Sequence, residues 1–73
     1  MATVTVYTGP ACPQCSATKR ALGNAGIAFA EVDITEEDRA RFFEAGHRSL
    51  PVVVTAESEW SGFRPDLIGG LVP

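Results

Sequence analysis

The chain has 73 residues, a hydrophobic content of 45% and a formal net charge of −3. This length fits a single domain, and the hydrophobic content argues against intrinsic disorder. The scattered Lys and Arg residues argue against a nucleic-acid partner, because nucleic-acid binding usually requires a clustered basic face. The first residues lack the basic start of a secretory signal, and no stretch is long and apolar enough to cross a membrane. We expect one cytoplasmic, monomeric domain over residues 1–73, without a membrane partner.

The first predicted strand and helix meet at the only two cysteines of the chain. Residues Thr3–Thr8 alternate with the period of two that is typical of a strand, and Gly9-Pro10 ends it. A helix is predicted from about Pro13 to Ala25, with Cys12 as its N-cap and Gly26 as its C-terminal cap. The face of this helix that is expected to be buried consists of Cys15, Thr18, Leu22 and Ala25.

The next strand and helix carry most of the acidic residues of the chain. Residues Ala28–Ile34 alternate again, and their two carboxylates favour a strand at the edge of the sheet. Thr35 is predicted to cap a second helix that runs to about Ala45, with residues 36–38 in its first turn, where acids suit the helix dipole. His47 follows this helix and is expected to be a surface loop residue.

The remaining segments predict two strands and a short helix. Val52–Thr55 is the most β-prone run of the chain, and Glu59–Ser61 would be its return strand across a short turn. Arg64–Asp66 is expected to open the last helix. The order is then β-α-β-α-β-β-α, which predicts an α/β domain with a mixed four-stranded sheet flanked by helices on both faces.

Cys12 and Cys15 form a Cys-x-x-Cys pair at a strand-to-helix junction, which in a cytosolic protein indicates redox chemistry. Residues three apart on a helix share a face and need only a small adjustment to form a disulfide. Cys12 would lie at the helix N-terminus, where free N–H groups stabilise a thiolate, whereas Cys15 would be less accessible. We therefore expect Cys12 to attack a target disulfide and Cys15 to resolve the mixed disulfide.

Two other interpretations of the cysteine pair stay open at this point: a structural pair and half of a metal site. A zinc site needs about four ligands, and His47 is the only histidine available beside the two thiolates. A copper carrier would normally place a methionine just ahead of its first cysteine, and the only methionine here is Met1. A carrier of zinc or of an iron–sulfur cluster is the non-enzymatic alternative.

Several motifs together resemble the thioredoxin fold in its glutaredoxin-like form, and in particular the NrdH-redoxin family. The resemblance covers nearly the whole chain. Its specific part is the motif from Trp60 to Pro65, whereas a Cys-x-x-Cys motif alone is common to many redox proteins. The other matching segments are Thr5–Thr8, Cys12–Cys15, Ala17–Leu22, Ala25–Ile27, Val32–Ile34 and Pro51–Val54.

This resemblance implies a small thiol-disulfide oxidoreductase that is reduced by thioredoxin reductase and passes electrons to class Ib ribonucleotide reductase. It implies no metal and no cofactor other than the Cys12–Cys15 disulfide. The expected active-site loop consists of Pro10, Ala11, Pro13 and Gln14. The expected substrate- and partner-binding surface consists of Leu50, Pro51, Trp60, Ser61, Gly62, Phe63 and Arg64.

Pro51 has a particular role in this resemblance. It is expected to form a cis peptide bond with Leu50 and to pack beside the cysteines, which leaves the backbone of Leu50 free to pair with an incoming peptide. The segment from Trp60 to Pro65 is expected to form a tight hydrogen-bonded turn, where glutaredoxins have a glycine-rich turn that binds glutathione. Alternatively, Trp60 and Phe63 are core residues and Arg64 is an ordinary solvated charge.

Two positions depart from the family pattern and keep a glutathione-dependent glutaredoxin open as the alternative function. Pro13 stands where NrdH-redoxins more often have an aliphatic residue, and dithiol glutaredoxins carry proline there. Gly9 stands where many relatives have a lysine that helps to hold glutathione. The first departure favours glutathione use, and the second opposes it.

Overall fold

The computed structural model describes residues 4–71 and places four strands and three helices within them. The predicted order β-α-β-α-β-β-α is confirmed. Thr3, predicted as the start of the first strand, lies outside the described residues. Within 4–71, no helix has the length and apolar character that a membrane crossing requires. The elements are β1 (Thr5–Thr8), α1 (Pro13–Asn24), β2 (Ala30–Asp33), α2 (Glu36–Glu44), β3 (Val52–Val54), β4 (Glu59–Ser61) and α3 (Pro65–Gly69).

The four strands form one mixed sheet in the order β2-β1-β3-β4. β1 pairs in parallel with β2, and Thr8 lies opposite Asp33 at the end of both strands. β1 pairs antiparallel with β3, which in turn forms an antiparallel hairpin with β4. β2 is therefore an edge strand, as its two carboxylates predicted.

The two faces of the sheet carry different helices. Val6 of β1 lies opposite Val53 of β3, and both belong to the main core together with Leu22 of α1 and Ile68 of α3. Successive strand residues point to opposite faces, so Tyr7 faces the other side. There its ring meets that of Phe42 in α2, with the centroids 4.9 Å apart. Helices α1 and α3 thus cover one face and α2 covers the other.

Helix α1 presents its predicted apolar face to the sheet. Cys15, Thr18 and Leu22 are buried, at the three- and four-residue spacing of one helix face. Full burial of a leucine side chain such as Leu22 contributes about 1.5–3 kcal/mol relative to an exposed one. The helix ends at Asn24, and Gly26 adopts a φ of +74°, a conformation that suits glycine after a helix end.

Helix α2 begins with the cap predicted from its sequence. The Thr35 hydroxyl accepts a hydrogen bond from the Asp38 N–H, and the Asp38 carboxylate accepts one from the Thr35 N–H. His47 lies in the loop beyond this helix, as predicted, but it is half-buried and paired. Its side chain is only 14% exposed, and its Nε2 lies 2.6 Å from a carboxylate oxygen of Glu59. The cause is the β3–β4 hairpin, which brings Glu59 back beside the α2–β3 connection.

Candidate active site

The two cysteines lie at the N-terminus of α1, directly after the loop that follows β1. Cys12 is the N-cap residue with an extended backbone, and Pro13 is the first helical residue, where a proline loses no hydrogen bond. Ala11 has a φ of +52°, in the left-handed region that residues with a Cβ atom rarely adopt. This bend turns the chain from the end of β1 into α1 and sets Cys12 at the helix end.

The cysteine pair is a disulfide in the structure, with the two Cα atoms 5.2 Å apart. Cys15 is buried, with 3% of its surface exposed, whereas Cys12 is only partly buried. The Cys12 Sγ atom accepts a hydrogen bond of 3.1 Å from the backbone N–H of Cys15. A backbone N–H donor and the positive end of a helix are the surroundings that generally favour a thiolate over a thiol. The two cysteines therefore differ as the sequence predicted: Cys12 lies at the helix N-terminus and is the more accessible of the two.

An open cleft lies against the disulfide on the side of β2. Lys19 of α1 and Glu31 of β2 line this cleft and form an ion pair of 2.8 Å across it. The hydrogen bond from Lys19 is the main cause that holds the pKa of Glu31 below its usual value. The buried Thr8 hydroxyl also donates to Glu31, over 3.4 Å. One carboxylate in the cleft is thus neutralised by Lys19, and Asp33 adds a further acidic group.

On the other side of the disulfide, Gln14 connects α1 to the turn before α3. The backbone N–H of Phe63 donates a 3.0 Å hydrogen bond to Gln14 Oε1. Gly62 has a φ of +80°, and its N–H donates to the Pro51 carbonyl over 2.8 Å. Of the segment predicted as a tight turn, Trp60 and Ser61 belong to β4, and the chain bends at Gly62, where it is held both to Pro51 and to the active-site helix.

The peptide bond between Leu50 and Pro51 is cis, as the family resemblance implied, and Pro51 is buried. Neither backbone group of Leu50 bonds to the backbone of another residue within 4–71. The Leu50 side chain lies close to Gly9: a Cβ atom built on Gly9 would be 2.7 Å from Leu50 Cδ1 and 3.4 Å from Arg39 Nη2. Glycine at position 9 thus leaves the space that these two side chains occupy.

The expected partner-binding surface is only partly assembled. Phe63 is 38% exposed beside Gln14, which places it at the edge of the site. Trp60 was expected on this surface, but it is 6% exposed and packs in the main core. Its side chain points to the same face of the sheet as that of Val53, which lies opposite it in β3. The guanidinium of Arg64 pairs with Asp66 at 3.0 Å in the first turn of α3, which supports the interpretation of Arg64 as an ordinary surface charge.

The arrangement of the described side chains gives little support to the interpretation of the cysteine pair as half of a metal site. Across 4–71, the His, Cys, Asp and Glu side chains form no group of three or more that could hold a metal ion. His47, the nitrogen ligand that this alternative needed, contacts Glu59 and stacks edge-on to Phe42.

Two contacts of the site are not predicted from the sequence: the Lys19–Glu31 ion pair and the proximity of Arg39 to Gly9. The sequence pattern predicts only an edge strand for Glu31 and does not indicate a partner for Lys19. The parallel pairing of β1 and β2 brings them together. One sequence signal could have indicated this pair. The crossover helix between two parallel strands carries a lysine, and the second strand carries a carboxylate within reach of it.

The family of the protein follows from comparison with known proteins. A model of the glutaredoxin family matches residues 4–59. The chain belongs to the glutaredoxin family. It is 46% identical over 72 residues to the glutaredoxin-like protein NrdH of Escherichia coli K12, which covers 96% of this chain and 89% of that protein. It is also 40% identical over 67 residues to a glutaredoxin of Neisseria meningitidis, covering 86% of this chain and 79% of that protein.

A solved structure narrows the assignment within the family. The NrdH-redoxin from Escherichia coli, whose activity profile is described as thioredoxin-like, superposes with a TM-score of 0.91 at 42% identity over 97% of this chain and 96% of its own. The glutaredoxin-like fold and the NrdH-redoxin resemblance are thereby confirmed. This redoxin is a thiol-disulfide oxidoreductase, and the Cys12–Cys15 pair is its redox-active group.

Proposed function

We propose that the reduced redoxin donates two electrons to disulfides of protein targets through a mixed disulfide. The Cys12 thiolate attacks one sulfur of the target disulfide and releases the other as a thiolate, which takes a proton from solvent. The Cys15 thiol then loses its proton and attacks Cys12 Sγ. This step forms the Cys12–Cys15 disulfide and releases the second target sulfur, so the target is reduced by two electrons and the redoxin is oxidised by two.

The observation that carries this order of events is the inequality of the two sulfurs. Cys12 is partly exposed and its sulfur accepts the Cys15 N–H at the helix N-terminus, whereas Cys15 is buried behind it. An attacking thiol must be both ionised and accessible, which suits Cys12. A resolving thiol needs to reach only its neighbour, which suits Cys15.

We further propose that thioredoxin reductase returns the disulfide to the dithiol and that class Ib ribonucleotide reductase is the target. The similarity to NrdH-redoxins supports this assignment, since the Escherichia coli relative is described as thioredoxin-like in activity. The turn at Gly62 and Phe63, closed onto Gln14, supports it as well, because it stands where glutaredoxins hold glutathione. On this proposal the protein is a cytoplasmic monomer that needs no other cofactor.

The roles of the surrounding residues belong to the same proposal. Leu50 and Pro51 bind the backbone of the target beside Cys12, and Phe63 contacts it from the side of α3. The remaining members of the site shape the loop and the turn rather than touch the target; these are Pro10, Ala11, Pro13, Gln14, Ser61, Gly62 and Arg64.

The deciding experiment is NADPH oxidation with purified thioredoxin reductase, the redoxin and a protein disulfide, in the absence of glutathione. Turnover that depends on the redoxin supports the proposal. Turnover with glutathione and glutathione reductase, but not with thioredoxin reductase, overturns the assignment of the reductase. The Cys12→Ser variant is the matched control and should give no turnover in either system.

A glutathione-dependent glutaredoxin is the second candidate. Pro13, the residue that dithiol glutaredoxins carry, favours it, and so does the 40% identity to a glutaredoxin of Neisseria meningitidis. The assay that separates the two candidates is the reduction of a mixed disulfide between glutathione and a small thiol. A rate that saturates with glutathione and equals that of the thioredoxin reductase system would favour this candidate.

A further inference from the structure

A groove of about 190 Å³ lies between α2 and the connection into β3, beside Leu50. Pockets for whole small molecules are larger, roughly 300–1,000 Å³, so this one suits a single side chain. Its floor is apolar because Phe42 and Val52 are buried beneath it. We call it the basic groove; its lining is Ile34, Arg39, Phe42, Phe43, His47, Arg48, Ser49, Leu50 and Val52.

The charged residues that line the basic groove itself are Arg39 and Arg48, which are both positive. None of its lining residues is Asp or Glu, although the chain as a whole carries a net charge of −3. His47 is bonded to Glu59, but Arg39 and Arg48 form no ion pair with any carboxylate in the described part of the chain. Two cations therefore remain available to a negative group.

The groove also offers an aromatic surface beside these cations. Phe43 is 57% exposed, the largest exposure among the exposed large hydrophobic residues of 4–71. The Arg48 guanidinium lies over its ring, 4.8 Å from the centroid, which holds the cation at the rim of the groove. An apolar side chain with a neighbouring carboxylate is thus complementary to both the surface and the charge.

The basic groove is adjacent to the active site, and the side chains of Leu50 and Arg39 lie between the two. Leu50 lines it and is also the residue before the cis proline. Gly9 lines the cleft beside the disulfide, and its Cα faces both Leu50 and Arg39. A polypeptide whose disulfide reaches Cys12 would therefore cross over Leu50 to place its next residues in the groove.

We propose that the basic groove recognises the protein target, by receiving an apolar side chain that neighbours an Asp or Glu in the segment next to the target disulfide. This inference rests on the proposed function, since it assigns a specificity site to the same disulfide exchange. The apolar side chain fills the space over Phe42 and Val52, and the carboxylate pairs with Arg39 or Arg48. Because both arginines are solvent-accessible, they should mainly raise the association rate of redoxin and target, and this rate should depend on salt.

The test uses two synthetic peptide disulfides of one sequence that contains Phe next to the cystine, followed either by Glu or by Lys. The rate of their reduction by the reduced redoxin is measured by stopped-flow, with each peptide in excess. An exposed ion pair corresponds to roughly a two- to fivefold effect, so the Glu peptide should react at least about twofold faster than the Lys peptide. High salt, at about 1 M, should remove that difference.

The double variant Arg39→Gln/Arg48→Gln should react equally with both peptides. Arg20→Gln is the matched control, because Arg20 is an exposed α1 residue outside the groove, and it should keep the preference. If the native redoxin reduces both peptides at the same rate, the groove does not recognise its target and the inference is wrong. If it reduces neither, the proposed exchange itself fails, and the two failures are distinguishable.

Discussion

Gln14 Oε1 accepts a 3.0 Å hydrogen bond from the backbone N–H of Phe63, 49 residues further along the chain. This bond links the first turn of the active-site helix to the turn that precedes α3. The same amide oxygen would lie 3.2 Å from a Cβ atom at Gly62. Gln14 therefore lies against the turn and closes the site on the side where the family resemblance places glutathione in glutaredoxins.

Replacing Gln14 with Leu should loosen this closure while keeping a side chain of similar volume. The Phe63 N–H loses its acceptor, so we expect the free energy of unfolding to fall by about 0.5–1.5 kcal/mol. Gln14→Glu keeps an acceptor at the same place and is the matched control. The measurements are urea unfolding and the KM for the redoxin in the thioredoxin reductase assay, which should rise for the Leu variant alone. Equal KM values for both variants would show that the bond does not shape the partner surface.

Replacement of glycine by alanine should change the stability of the protein in opposite directions at Gly62 and at Gly23. Gly62 has a φ of +80°, and a Cβ atom added there would meet two side-chain oxygens within 3.4 Å, so Gly62→Ala should destabilise the protein by about 1–2 kcal/mol. Gly23 lies in α1, and a Cβ atom added there would have nothing within 4 Å, so Gly23→Ala should stabilise the protein by about 0.5–1 kcal/mol. Urea unfolding of the two single variants measures both. A Gly62→Ala variant that is not destabilised would contradict the backbone geometry at Gly62, and a destabilised Gly23→Ala variant would contradict the open space at Gly23.

The features predicted from the sequence are those that depend on local rules. The cap of α2 at Thr35 follows from the hydrogen-bonding capacity of Thr and Asp at three-residue spacing. The position of Cys12 at a helix N-terminus follows from Pro13, which fits the first helical position. The fold and the cysteine site were thus accessible from short motifs, with the family resemblance adding the cis bond at Pro51.

The features that were missed depend on contacts between distant segments or on conformations that a residue rarely adopts. Alanine gives no signal for a φ of +52°, so the bend at Ala11 was not predictable. The burial of Trp60 depends on which face of β4 meets the core, and a strand of three residues is too short to define that by alternation. The neighbourhood of Arg39 and Gly9 depends on how α2 lies over the sheet, which sequence spacing does not determine.

The Lys19–Glu31 ion pair predicts a pH dependence of stability. The hydrogen bond from Lys19 is the main cause of the lowered pKa of Glu31; the Lys19 charge and the Thr8 hydroxyl add to it, and partial desolvation opposes it. Because the folded-state pKa lies below the usual value of 4.5, the ionised carboxylate stabilises the folded protein above that value. This contribution is lost as the pH falls through the folded-state pKa.

Thermal unfolding of the native protein and of Glu31→Gln should show this dependence. The native protein should have the slightly higher Tm near neutral pH, and the difference should disappear in acid, below the folded-state pKa. The difference should be small because the pair is accessible to solvent. Arg41→Gln, which removes a different surface ion pair, is the control for a general effect of charge. A Tm difference that is the same at every pH would assign the effect to something other than ionisation of Glu31.

The two cysteines should differ when each is replaced by serine in turn. Cys15→Ser keeps the accessible sulfur at the helix N-terminus but removes the group that resolves the mixed disulfide, so a covalent complex with the target should accumulate. Cys12→Ser leaves only Cys15, a residue that is 3% exposed, so exchange should stop without any complex. Non-reducing electrophoresis and mass spectrometry of each variant with a protein disulfide provide the measurement. A complex that forms with Cys12→Ser, and not with Cys15→Ser, would reverse the two roles. It would also mean that burial of Cys15 in the oxidised structure is not maintained in the reduced protein.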